Sequence, residues 1–498
     1  MSDTHKFQKI KIAMGLLLFT LCLSSCKKII EISPPVNSVN EQNVYGTDVT
    51  ATAVLTGLYS VMIGNATGTA FNGVGGLSLL TSLSSDELTL FNGVADNKLI
   101  AYYKNTLLAA SQLNNYGSEF WGGGAGLYYY VFICNAAIEG LDKSGTLTPS
   151  VKQQLLGEAK FTRAFFYFYL VNLYGDVPLT LTTDPAINEV LSRTAEQKVY
   201  QQIIEDLKEA ENLLSATFLD GSLSPYSGVA ERVRPTKWAA AAMLARVYLY
   251  YGNLTGDISN YANAEIQATS VIDNTSLFGL PALNSVFVKN NRGAIWQIQP
   301  VAPGRNTEDG FTFILPQSGP NGYSNPVYLS NNLLNSFEVG DLRKSEWVSS
   351  VTPVTGTTTY YFPYKYKSTI TTGAATEYLM ILRLAEQYLI RAEARVQQNN
   401  VNGAKEDLNL VRTRAGLSNT SANDKMELLA AILHERCVEL FTEFGHRWFD
   451  LKRTKSADVV MNSVTPLKGG TWQTTDQLYP IPVADIIRNP KLTQNAGY

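Results

Sequence analysis

From about residue 47 to 273, apolar residues recur at spacings of three and four with turn residues between the runs. This pattern predicts helices over 47–63, 98–116, 124–141, 151–174, 194–215, 236–251 and 259–273. Gly175 with Asp176, Val177 and Pro178 marks the end of the fourth helix, and Gly252 marks the end of the sixth, as C-terminal glycine and trailing proline do. Between 274 and 376 the period is lost. That stretch is rich in Gly, Asn, Pro, Thr and Tyr, with one strand-like run at 294–298 and hairpin-like material around 357–366. Helical patterning returns over 378–414 and from about 425 to 452.

Three stretches, 159–174, 239–272 and 379–415, share small residues at helical spacing, then Tyr or Leu, then in the last a short turn at Asn399 and a second helix. This is the helix-hairpin logic of tetratricopeptide repeats, here separated by long insertions rather than repeated at a fixed period. Ala239 to Ala242 let neighbouring helices approach closely. The expected fold is mainly α: a tetratricopeptide-like helical superhelix with an irregular, loop-rich half containing short strands. The scaffold spans 44–273 and 377–498, with the irregular insertion at 274–376 in a single domain over 44–498.

The N-terminus sets the compartment. Lys6, Lys9 and Lys11 precede the apolar run Ile12 to Leu23, which ends at Ser24-Ser25-Cys26. Charged region, apolar region and small-residue site come in the order of a secretory signal, and the run is shorter than the roughly 20 residues a membrane span needs. Leu23-Ser24-Ser25-Cys26 resembles the bacterial lipobox, which makes 1–25 a lipoprotein signal peptide, Cys26 the lipid attachment site and 26–43, with Pro34-Pro35, a lipidated tether. Cys134 and Cys437 lie far apart in helical patterns and read as two buried free thiols.

Charge narrows the partners. Forty Lys and Arg against 43 Asp and Glu leave a net charge of −3, with no basic excess for counterion release, so nucleic acid is not expected as a partner. Charged residues make up only 17% of a 498-residue chain carrying 27 Tyr, against a usual level of about 25%. Such a surface suits neutral polar ligands.

Further motifs carry a resemblance. They are Arg163-Ala164-Phe165-Phe166-Tyr167-Phe168 with Gly175-Asp176-Val177-Pro178-Leu179, Phe337-Glu338-Val339-Gly340-Asp341-Leu342-Arg343, and Leu382-Arg383-Leu384-Ala385-Glu386 with Ala392-Glu393-Ala394. Glu435-Arg436, Arg447 to Arg453, Tyr479-Pro480-Ile481-Pro482, Asn489-Pro490 and Gln494 to Tyr498 follow in order. Over nearly the whole chain after Cys26, this sequence resembles the SusD/RagB family of outer-membrane lipoproteins of the Bacteroidetes. The resemblance implies an outer-membrane, lipid-anchored, cell-surface protein that is not an enzyme. It would capture oligosaccharide and act as the lid of a TonB-dependent, SusC-like barrel; the alternatives are peptide capture of the RagB type, a stand-alone surface glycoside hydrolase, and a tetratricopeptide scaffold that binds only protein. No cofactor is implied, and a structural calcium ion is left open.

The charged motif residues Arg383, Glu386, Glu393, Glu435, Arg436, Arg447 and Asp450 are expected to pair between stacked helices. Trp296, Trp448 and Phe449 read as core, and 479–482 as a closing strap. His434-Glu435 begins like a zinc-protease motif, but Val438 stands where the second His belongs. Asp86-Glu87, Asp96 and Asp341 are carboxylates that a glycosidase would need in pairs, although Asp86-Glu87 after two serines reads as a helix start or a turn cap. No Gly-x-Ser-x-Gly elbow is present.

A sugar ring offers a C–H face to aromatic rings, while its hydroxyls need polar partners. In the places where the family binds ligand, this sequence has Phe71, Phe91 and Asn92 in a Gly-rich loop, and Phe311, Phe313, Tyr323 and Tyr328 in the irregular half. The loop lacks the Trp of many glycan-binding members.

Overall fold

The computed structural model describes residues 44–64, 69–110, 115–122, 126–354, 356–370 and 373–498. The chain divides into two compact units, Met1–Val44 and Tyr45–Tyr498. The expected signal segment, the tether and Cys26 lie outside the described residues. The helices and strands described below lie in the second unit.

The longer helices are α1 (Asp48–Ile63), α2 (Leu77–Ser84), α3 (Asn97–Lys104), α4 (Leu127–Lys143), α5 (Pro149–Tyr174), α6 (Glu196–Leu213), α7 (Lys237–Thr255), α8 (Ile258–Ile272), α9 (Leu384–Gln397), α10 (Val401–Arg414), α11 (Lys425–Glu439), α12 (His446–Arg453) and α13 (Ala457–Leu467). From α4 to α10 each helix packs on the next, so the chain is mainly α and built as a stack of helix hairpins. The faces that meet are apolar, and the run Ala239 to Ala242 of α7 is buried without a break. None of the described helices is long and apolar enough to cross a membrane.

Eight short strands pair two by two and antiparallel: β1 (Leu88–Leu90) with β5 (Val327–Leu329), β2 (Leu108–Ala109) with β3 (Asn115–Tyr116), β4 (Ala294–Ile298) with β8 (Leu379–Arg383), and β6 (Val348–Val351) with β7 (Tyr360–Pro363). The irregular segment between α8 and α9 thus leaves the stack after Ile272 and returns at Leu384, yet α8 and α9 pack directly on each other.

Where the helices differ from expectation, local geometry explains it. The run 98–116 ends at Asn105, which is left-handed at φ 53 and caps α3. Gly252 lies inside α7 rather than at its end, and Gly256, at φ 71, is the stop. A Cβ on Gly252 would sit 2.8 Å from the Tyr261 ring, so this glycine lets α7 and α8 come together. Residues 379–383 form a fully buried strand, not the start of a helix. The stretch 425–452 is broken after Glu439, where Thr442, Phe444 and Gly445 all have positive φ.

Two features join the irregular segment to the stack. Trp296 of β4 is fully buried, with its ring edge-on to Phe161 at 5.0 Å, Phe165 at 5.4 Å and Tyr59 at 6.2 Å, and its Nε1 donating to the Val233 carbonyl at 3.0 Å. The second is a buried charge network. Arg343 meets Asp341 at 2.8 Å, Glu435 at 2.6 Å and Glu439 at 3.0 Å. Arg383 meets Glu439 at 2.6 Å and Glu443 at 2.7 Å, and Lys365 pairs with Glu443. The other charged motif residues pair as well: Glu386 with Arg246, Glu393 with Arg453, Arg436 with Asp450, and Arg447 with Asp86.

Cys134 and Cys437 are buried free thiols. Trp448 and Phe449 are core. Tyr479 ties the closing strap down, its N–H donating to Leu173 O and its hydroxyl sharing a hydrogen bond with Ser84.

Beside the network, Asp309 is buried and accepts from the Gly73 N–H at 2.8 Å. Burial pushes its pKa from 3.8 up to about 7, against the hydrogen bonds from Gly73 and Ser78. Between those two pH values the folded chain keeps a proton that the unfolded chain has released. This group's contribution to stability therefore falls as pH rises through that window. Asp309→Asn removes the term while keeping the acceptor. The variant is expected to gain melting temperature over the parent at about pH 8 and to keep only a smaller part of that gain at about pH 5. Parallel melting curves across this range would rule out Asp309 as the source.

Candidate functional site

The candidate site lies where the loop after β1 meets the irregular segment. β1 and β5 place Thr89 opposite Tyr328 and Leu90 opposite Val327, and the Phe91 N–H extends the pairing to Pro326 O at 2.8 Å. β6 and β7 place Val351 opposite Tyr360. Leu315, Val351 and Phe362 form a small buried core beneath this face, and Tyr328 and Tyr360 pack on it while staying partly exposed. The Tyr360 ring stands edge-on to Tyr328 at 5.1 Å and to Phe91 at 6.3 Å. Three aromatic rings, from β5, β7 and the loop after β1, thus share one surface.

The turn 321–325 brings Tyr323 to the same place. Asn321 Oδ1 accepts from the N–H groups of Tyr323 and Ser324, both at 2.9 Å, while Asn325 Nδ2 donates to the carbonyls of Phe311 at 2.9 Å and Thr312 at 3.0 Å. Asn325 so pins the turn to the short helix Glu308–Phe313. A Cβ on Gly322 would stand 3.0 Å from Gly93 O, so this turn and the 91–94 loop touch backbone to backbone. Tyr323 is 88% exposed on that turn.

Below Tyr328 runs a cleft of about 270 Å³ lined by Thr89, Tyr103, Asn331, Asn332 and Lys468. Burial raises the Tyr103 and Tyr328 pKa values, leaving both rings as neutral hydroxyl-bearing surfaces. Lys468 Nζ is spent on the carbonyls of Leu83, at 2.8 Å, and Ser85.

The structure sorts the expected ligand residues. Phe91, Asn92, Tyr323 and Tyr328 come together. Phe311 is half-buried with the Arg305 guanidinium 4.2 Å above its ring. Phe71 is fully buried among Tyr130, Phe165 and Phe166, and Phe313 is 3% exposed, so both are packing residues with no face to offer a ligand. Tyr360 and Tyr103 were not singled out from the sequence. Tyr360 lay within the hairpin-like run, but only its pairing with β6 turns it toward Phe91.

The carboxylates are engaged elsewhere. α2 ends at Ser84, so Asp86 and Glu87 do not start a helix. Asp86 holds Arg447 through two oxygens at 2.7 and 2.8 Å; burial raises its pKa, and the Arg447 pair outweighs this and leaves it lowered. Glu87 is buried, accepts from Ser82 at 2.5 Å, and is pushed by burial to about 7. Asp341 is held by Arg343. The His434 ring Nε2 sits 2.8 Å from Ser336 O, and among the described residues no group of three or more His, Cys, Asp or Glu is placed to hold a metal ion.

Two family models match the chain. Residues 345–498 match the SusD family, and residues 85–249 match a family described as starch-binding and associating with the outer membrane. The chain belongs to the SusD/RagB family. SusD-like protein P2 of Formosa agariphila is 27% identical over 396 residues, covering 68% of this chain and 73% of the relative. A SusD superfamily protein from Parabacteroides distasonis is 25% identical with a TM-score of 0.74, covering 91% of this chain and 98% of that one. A laminarin-binding SusD-like protein shares the fold at 23% identity and a TM-score of 0.69, with 90% and 99% covered. The aromatic surface, including Phe91 and Asn92, starts within the stretch matched to the starch-binding family, and the SusD family match takes in Tyr360 and the charge network of α11 and α12.

Proposed function

We propose that this protein captures carbohydrate on the surface made by Phe91, Tyr323, Tyr328 and Tyr360, leaves it chemically unchanged, and passes it to a TonB-dependent outer-membrane barrel. It would cover the barrel as a lid, held at the cell surface through lipid on Cys26. The observation that carries this reading is the edge-on setting of Phe91 and Tyr328 against Tyr360, with Thr89, Asn331 and Asn332 lining the cleft beside Tyr328. Rings meet the C–H faces of a sugar, and the polar groups meet its hydroxyls. The starch-binding description of the matched family and the laminarin-binding relative support carbohydrate as the ligand class. The engagement of Asp86 and Asp341 with arginines supports binding rather than hydrolysis, which needs two available carboxyl groups across the bond.

Titration calorimetry with laminarin, starch and other oligosaccharides tests the ligand class and the site together. Phe91→Ala with Tyr323→Ala is expected to weaken glycan affinity roughly 10–100-fold. An unchanged affinity in that double variant would refute this surface as the site. Peptide binding without any glycan binding would replace the ligand class. Co-purification from detergent-solubilised membranes tests the barrel, which should appear in near-equal amount.

A further inference from the structure

The helical half contains a second cavity, of about 490 Å³, between α5, α6, α7 and α12 and closed on one side by 474–478. It shares no residue with the aromatic surface. Two opposite charges face it without meeting. Glu196, at the start of α6, has neither a hydrogen bond to its carboxylate nor an ion pair among the described residues. Lys452 of α12 gives one hydrogen bond, to the Asn172 carbonyl, and makes no ion pair there either. Tyr250 also lines the cavity; it is 2% exposed, and its hydroxyl has no hydrogen-bond partner among the described residues. Arg453, the other buried cation on the wall, is already held by Glu393 at 2.5 Å and Asp450 at 2.8 Å. Val171, Leu254 and Leu478 supply the apolar part of the lining.

A cavity of this size holding an ammonium and a carboxylate that form no ion pair, with an orphaned buried hydroxyl, fits a ligand with both charges. We propose that it is a second binding site, for a small zwitterion of the free amino-acid class. The ligand's ammonium meets Glu196, its carboxylate meets Lys452 and the Tyr250 hydroxyl, and an aliphatic side chain lies against Leu254 and Leu478. The ligand gives each of these half-buried charges an ion-pair partner. The surroundings agree: burial lowers the Lys452 pKa to about 7 and raises that of Glu196, and the attraction of each charge for the other offsets this only in part. A lone anion uses Lys452 and Tyr250 but faces repulsion from Glu196, and a neutral sugar leaves both charges unanswered.

The test is titration calorimetry of the full chain with a panel of free α-amino acids led by L-leucine, alongside N-acetyl-leucine, leucinamide and inorganic phosphate. An amino acid is expected to bind, with the acetylated and amidated forms weaker by at least about tenfold. Glu196→Gln and Tyr250→Phe are each expected to lower that affinity by about tenfold and to leave oligosaccharide binding unchanged. Lys452 also supports the end of α5, so these two variants rather than a lysine variant carry the test. No binding across the panel overturns the proposal. So does phosphate or N-acetyl-leucine binding as tightly as the free amino acid, which marks a plain anion site. Unaltered affinity in Glu196→Gln overturns it as well.

Discussion

Arg343→Met is expected to destabilise the fold by about 3–5 kcal/mol, the range for breaking a buried ion pair from one side. Its side chain is fully buried and touches three carboxylates, those of Asp341, Glu435 and Glu439. Methionine fills much of the volume, so the loss is electrostatic: buried negative charges are left facing each other with Arg383, Arg412 and Arg414 as their remaining partners. Chemical denaturation reads the loss as a lower midpoint, and Arg343→Lys recovers only part of it, because an ammonium does not reproduce the two bonds, at 3.0 and 2.8 Å, from the guanidinium to Asp341. A Met variant as stable as the parent would mean that the network adds no stability and that a hydrophobic substitute serves equally well.

Trp296→Ala has a comparable effect for a different reason. The ring is fully buried against Tyr59, Phe161 and Phe165, so its removal costs about 3–5 kcal/mol through lost contact and the void left behind. It also frees the Val233 carbonyl that Nε1 now satisfies. The damage falls where β4 lies on the stack, so amide exchange is expected to quicken in β4 and β8 more than in α9 to α11. Uniform quickening across all helices would instead show that the irregular segment and the stack unfold as one unit.

Much of the scaffold was readable from sequence because apolar residues recur at helical spacing and because α5 stops at Gly175. The failures have physical causes. Leu379 to Arg383 is an apolar run buried on both sides, and it continues without a break into α9, so periodicity cannot tell strand from helix there. Gly252 looked like a stop because a glycine needed for close helix approach and one needed for a cap are the same letter. The paired charges of the 435–453 motifs followed from helical spacing, although Arg383 makes its pairs from a strand. At the site, Phe71 and Phe91 sit in similar Gly-rich surroundings, and only the fold reveals that one is core and the other faces out. Tyr360 was out of reach because its neighbours Phe91 and Tyr328 join it through strand pairing that no local pattern encodes.

The packing of α8 on α9 across a long irregular segment also sets an order of events during synthesis. When α8 leaves the ribosome, the helix that covers its far face is still more than a hundred residues away, roughly 6–22 s at about 5–20 residues per second. Through that interval the nascent chain carries an uncapped hydrophobic end of a growing stack, and the irregular segment arriving next is the slow, non-local part of the topology.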